Sequence, residues 1–118
     1  MNHKDLDVWK EGISFVRQVY LVTSEFPDSE KFGLTSQLRR AAVSIPANIA
    51  EGAGRQSDKE LIQFLYISLG SVSEVETLLI ISKDLNYLEG DKYEILIMSL
   101  QKIRPMLLGL IKYLKNKK

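Results

Sequence analysis

The chain has 118 residues, 45% hydrophobic and 26% charged, a balance that predicts one globular domain over residues 1–118 and excludes a disordered or fibrous protein. It has no cysteine and a single histidine, His3, which excludes disulfides, thiolate metal sites, a cysteine nucleophile and any triad or metal site built on paired histidines. The formal charge of +1 hides an uneven distribution. Residues 58–94 hold three basic and eight acidic side chains, whereas residues 95–118 hold six basic and no acidic ones.

Two arrangements account for that distribution. An acidic helix and a basic helix can pack side by side in one fold, or the basic segment can form a surface for phosphate. The opening MNHKDLDVWKEG carries acids and no apolar run, and the longest unbroken apolar stretches, LLII and MLLGLI, fall far short of a membrane span. A cytoplasmic protein with no membrane partner is therefore expected.

The first predicted helix runs from Asp5 to Glu25, with Leu6, Trp9, Ile13, Val16 and Tyr20 at three- and four-residue spacing and Asp5 as its N-cap. The stretch FPDSEKFG breaks that period. A second helix is expected from Thr35 or Ser36, either of which can cap it. It carries Leu38, Ala41, Ala42, Ile45 and Ile49 inward and ends at EGAG.

A capping box of Ser57 and Glu60 opens the third helix, which carries Leu61, Phe64, Leu65, Val72, Val75, Leu79 and Leu85 toward Asn86. At ~1.5 Å per residue it would be roughly 42 Å long. The fourth is expected to start after Gly90, with Asp91 and Glu94 repeating the cap pattern. It runs through Leu96, Leu100, Ile103, Leu107, Leu110 and Leu114, with Pro105 as an interruption. No segment alternates like a strand, so the chain is predicted to be all-α, an antiparallel up-down-up-down four-helix bundle.

Two features ask for more than a monomer. In ELIQFLYISLGS a second stripe of Ile62, Tyr66 and Leu69 runs beside Leu61 and Leu65, and a helix with two apolar faces needs a second partner, unless a wide bundle buries both. Pro46 lies inside the second helix, where its missing N–H and its ring cost roughly 3 kcal/mol. A bend there would bring Ala47, Asn48 and Ala50 against a neighbour. The alternative is a helix that ends at Ile45.

The polar side of the second helix, Gln37, Arg40, Ser44, Asn48, Glu51 and Arg55, forms one stripe. It can bond to neighbouring chains or to the acidic third helix, with Arg39 or Arg40 meeting Glu74 or Glu76. It can also present arginine to phosphate. Glu51, Glu74 and Glu76 are the carboxylates left for an acid/base site, but no sequence feature marks a pocket around them, and GAGR lacks the lysine of a phosphate loop. No enzyme activity, cofactor or metal is expected.

The segments LTSQLRRAAVSIPANIAEGAGR and FLYISLGSVSEVETLLI, with DVWKEG, FPDSEKFGL and LNYL around them, resemble the 23S rRNA-intervening-sequence protein family over essentially the whole chain. Ser68 stands where alanine is commoner, and Asn86 where glycine is expected. The resemblance implies a bacterial four-helix bundle that assembles as a homopentameric ring, with no established catalysis. It extends to the accessory variability determinants of diversity-generating retroelements, which bind nucleic acid through basic surfaces.

The expected function is thus a non-enzymatic homo-oligomer binding RNA or DNA through a pooled basic surface. The alternative is a structural or protein-interaction assembly. Candidate nucleic-acid residues are Arg39, Arg40, Arg55, Arg104, Lys112 and Lys115, joined at the basic end by Lys117 and Lys118. Candidate interface residues are Pro46, Asn48, Ile62, Tyr66 and Leu69.

Overall fold

Hydrophobic periodicity becomes four helices, α1 (Asp7–Thr23), α2 (Leu34–Ala53), α3 (Asp58–Asp84) and α4 (Gly90–Asn116), with a single-turn 3-10 helix before α1 and another before α2. The structure is a computed structural model that describes residues 1–117. Each helix packs on its neighbour in sequence and α1 closes against α4, which leaves α1 with α3 and α2 with α4 as the diagonal pairs across one shared core. The result is the expected antiparallel bundle, 49 Å long and 24 by 20 Å across. Phe15, Leu38, Ile45, Leu65, Leu79 and Leu107 lie fully buried at its centre.

The helix ends correct several expectations. Asp5 sits in the first 3-10 turn, and α1 starts after Leu6 with no side-chain cap. Neither Thr35 nor Ser36 caps α2, because Leu34 already belongs to it. The Glu30 carboxylate accepts the Leu34 N–H at 3.1 Å instead. Ser57 does cap α3, accepting the Glu60 N–H at 3.2 Å. The residue before α4 is Glu89, which makes no capping bond. Tyr20 and Leu85, expected inside, are exposed.

Asn86 holds φ 63°, the left-handed conformation that terminates α3. The Asn86 N–H bonds the Lys83 carbonyl at 3.0 Å and the Tyr87 N–H bonds the Ser82 carbonyl at 2.9 Å, the paired bonds of a Schellman cap. Asparagine takes glycine's place there because its short polar side chain tolerates positive φ.

Neither internal proline stops its helix. Pro105 faces solvent and α4 runs through it. The continuity of α2 through Pro46 rules out a helix end at Ile45. Pro46 is itself buried, and a Cβ built on Gly12 of α1 would lie 3.3 Å from its Cβ, so the neighbour approached closely here is α1 of the same chain. Pro46, a candidate interface residue, is thus packed inside its own chain.

Close approach also governs α2 and α3. A Cβ on Gly52 would lie 2.7 Å from Phe64 Cβ and 2.9 Å from Leu61 Cδ1. Farther along, the hydroxyls of Ser44 and Ser71 meet at 2.7 Å, and fully buried Ser68 donates to the Ile45 carbonyl at 2.8 Å. No buried side-chain nitrogen or oxygen among the described residues lacks a partner.

By composition α3 is long and apolar enough to cross a membrane, with a mean hydropathy of 1.6 over its best window, although no unbroken apolar run in it is long. In this fold it lies between α2 and α4 and places Leu65, Val72, Val75 and Leu79 in the core. Its hydropathy is high because its outer side is apolar too.

Candidate interaction surface

The charge asymmetry of the sequence resolves into packing. Five ion pairs form among the described residues, and in four of them the cation comes from α4 or from Lys117 just beyond it. Lys92 reaches Glu25 at 3.0 Å and Lys102 reaches Glu11 at 2.7 Å, tying α4 to the α1 side. Arg104 meets Glu76 at 3.3 Å and Lys117 meets Asp58 at 3.3 Å, tying it to α3. All are partly exposed and screened by solvent, so each contributes little to stability. Their effect is on register: the basic helix lies between the acids of its two neighbours.

The candidate nucleic-acid residues do not all come together on one chain; Lys112 and Lys115 share one turn of α4, and the others are dispersed. Arg39 turns to the end of α1, where Nε donates to Thr23 Oγ1 at 2.8 Å and the guanidinium stacks 4.4 Å from the Tyr20 ring centre. Arg55 pairs with Glu51 at 3.1 Å and covers Phe64. Lys115 donates to Tyr66 Oη at 2.8 Å. Arg104 is held by Glu76 and by Ser73 Oγ. Arg40 and Lys112 make no ion pair among the described residues, and Lys118 lies outside them.

The expected bond from Arg39 or Arg40 to Glu74 or Glu76 takes a different form. Arg39 is on the far side of α2, and Glu76 belongs to Arg104. Arg40 and Glu74 face one open concavity of about 510 Å³ between α2 and α3, lined also by Phe32, Ser36 and Gln37, without pairing to each other. Ser44 and Asn48 of the polar stripe bond inward: the Asn48 amide donates to the Ser44 carbonyl at 2.8 Å and to its hydroxyl at 2.9 Å. Asn48 is half-buried within its own chain.

The second apolar stripe on α3 exists, but its most exposed members differ from those expected. Ile62 and Leu69 are half-buried against the chain's own core, and Tyr66 is 46% exposed. Beside Tyr66 stand Ile67 at 50%, Ile80 at 44% and Ile81 at 41%. Ile67, Glu74 and Ile81 recur every seven residues on the α2 side, and Tyr66, Ser73 and Ile80 do so on the α4 side. Tyr66 was among the residues selected from the sequence; Ile67 stands one position beyond it, and Ile80 and Ile81 lie farther along the same helix.

Two other apolar features were not anticipated. Phe32, in the break between the first two helices, is 91% exposed at the rim of the α2/α3 concavity. On the opposite edge, Leu21 of α1 with Ile95 and Met98 of α4 are exposed around shallow notches between those helices. Phe32 belongs to no helical period, and Leu21, Ile95 and Met98 lie off the core stripes, so periodicity had no reason to select them. Among the described residues no group of acids or histidines is arranged to hold a metal.

A crystal structure of a protein of unknown function from the S23 ribosomal protein family of Bacteroides thetaiotaomicron superimposes with a TM-score of 0.80 at 28% identity, covering 89% of this chain and 98% of that one. No curated protein matches the sequence. The sequence profile of the 23S rRNA-intervening sequence protein matches residues 4–109, and the chain belongs to that family.

Proposed function

We propose that the protein is a non-enzymatic assembly subunit, a four-helix bundle that works as a closed homo-oligomer. One observation carries this reading: α3 presents Tyr66, Ile67, Ile80 and Ile81 outward within one face, each more than 40% exposed. Leaving these two pairs of side chains in water forfeits about 25 cal/mol for each Å² of apolar surface, and exposed apolar side chains grouped on one helix mark association sites. The resemblance of the sequence to a pentameric family supports five copies, a number that the apolar face alone does not supply.

Light scattering coupled to size exclusion tests the reading. The expected result is a single species near five times the 13.4 kDa chain mass. A monomer at micromolar concentration overturns it, and a dimer or tetramer overturns the number five.

Nucleic-acid binding is the second reading, favoured by Arg40 and Lys112, which make no ion pair among the described residues. One copy has too little unpaired positive charge to hold a polyanion. A ring would bring several copies of Lys112 and Lys115 to one surface and multiply a weak attraction.

A further inference from the structure

The helices α2 and α3 meet closely at one end and leave a concavity at the other. At Gly52 there is no room for a Cβ between them, and farther along the Ser44 and Ser71 hydroxyls touch at 2.7 Å. Beyond that bond, toward the start of α2, lies the open concavity of about 510 Å³. Small-molecule sites commonly measure ~300–1,000 Å³.

The side chains around it are ones the fold itself leaves unused. Ser36, Arg40 and Ser44 follow one another at four-residue spacing on α2, with Gln37 three before Arg40, so all four share one side of the helix. Ser44 is engaged by Asn48 and Ser71, which closes that end of the concavity. The side chains of Ser36, Gln37 and Arg40 enter no hydrogen bond or ion pair among the described residues, whereas neighbouring Arg39 is committed to Thr23 and Tyr20. On the facing wall, Glu74 is the one charged member of the series Ile67, Glu74 and Ile81, and it too makes no ion pair.

Opposite charges that face one space without meeting are selective. Glu74 repels a simple anion and Arg40 a simple cation, so the complement of the concavity carries both charges. A planar guanidinium holds a carboxylate through two parallel hydrogen bonds, with the Gln37 amide and the Ser36 hydroxyl as further donors beside it, and the Glu74 carboxylate accepts from an ammonium group. Phe32 adds a third element. Its ring is 91% exposed at the rim, on a turn held by the Gly33 N–H on the Glu30 carbonyl at 3.0 Å and by the Glu30 carboxylate on Leu34 and Tyr87. An aromatic ring kept in water by a fixed turn offers a stacking surface to another ring.

We propose that this concavity binds an aromatic α-amino acid as its zwitterion, with Arg40 taking the carboxylate, Glu74 the ammonium group and Phe32 stacking on the ring. The site goes beyond the assembly reading and does not rest on it.

Ligand-observed NMR with three probes tests it: L-tryptophan, its amide, which lacks the carboxylate, and its N-acetyl derivative, which lacks the ammonium group. L-Tryptophan is expected to bind the parent with a Kd on the order of 1 mM, and each derivative about tenfold more weakly, the loss of one charged hydrogen-bonding partner. Arg40→Gln should make L-tryptophan and its amide bind alike, and Glu74→Gln should do the same for L-tryptophan and the N-acetyl derivative. Phe32→Ala should weaken L-tryptophan about fivefold, the worth of one aromatic pair. All three positions are exposed, so the fold is kept, and unchanged circular dichroism verifies this. A residue acting only on the fold would weaken all three probes together. No binding of L-tryptophan at about 10 mM, equal binding of the three probes by the parent, or variants that discriminate among them as the parent does overturns the site. Light scattering on the same samples reads the assembly separately, so failure of the site and failure of the assembly reading are distinct results.

Discussion

Glu30 holds two connections together at one end of the bundle. One carboxylate oxygen accepts the Leu34 N–H at the start of α2, and the other accepts the Tyr87 hydroxyl at 3.0 Å from the α3–α4 connection. A Cβ on Gly33 would fall 2.8 Å from that first oxygen, so glycine leaves room for the cap. The hydrogen bond to Glu30, aided by desolvation and by the carboxylate's charge, raises the Tyr87 hydroxyl above its ordinary 10.0. Lys92 is raised above 10.5, chiefly by its hydrogen bond to Glu25. A raised folded-state value means stability that is complete below the unfolded value and is lost as pH climbs through the folded one. Thermal melts from about pH 8 to about pH 11 should therefore show a fall on the alkaline side, with Tyr87→Phe less stable at pH 8 but less sensitive to alkali. Equal alkaline slopes for the two proteins would contradict this account of Tyr87.

At the scale of elements, Gly52 fixes how near α2 comes to α3. Adding a methyl group there drives it against Phe64 Cβ and the Leu61 backbone, atoms that cannot swing aside, at a cost of roughly 1–3 kcal/mol. Gly52→Ala should accordingly lower the urea midpoint, although alanine is the better helix former; an unchanged midpoint would mean that the helices separate freely there. All four helices were legible in the sequence because one buried stripe in each follows the 3.6-residue period. Caps were legible only where the capping residue is adjacent in sequence, as with Ser57. The cap of α2 escaped because Glu30 reaches it from the preceding turn. The proline in α2 was visible, but its purpose was not, since Gly12 lies thirty-four residues earlier and only tertiary packing brings the two together.

Across the whole molecule, the sequence announced the charge separation of α3 and α4 but left two uses for it open. In the fold three of the five cations of α4 are taken up by Glu25, Glu11 and Glu76, and Lys117 just beyond it by Asp58. Single-chain binding to nucleic acid should therefore be weak, and any binding should follow assembly. The expected outcome is that the parent holds single-stranded RNA at about 50 mM salt and loses affinity about twentyfold by about 200 mM, the fall for roughly three phosphates contacted. Lys112→Glu combined with Lys115→Glu should abolish that binding while the mass by light scattering stays unchanged. A variant that runs as a monomer by light scattering while keeping Lys112 and Lys115 should lose it too. RNA affinity that is indifferent to salt, or that survives in the monomer, would leave the pooled cations without a role and return the protein to a purely structural assembly.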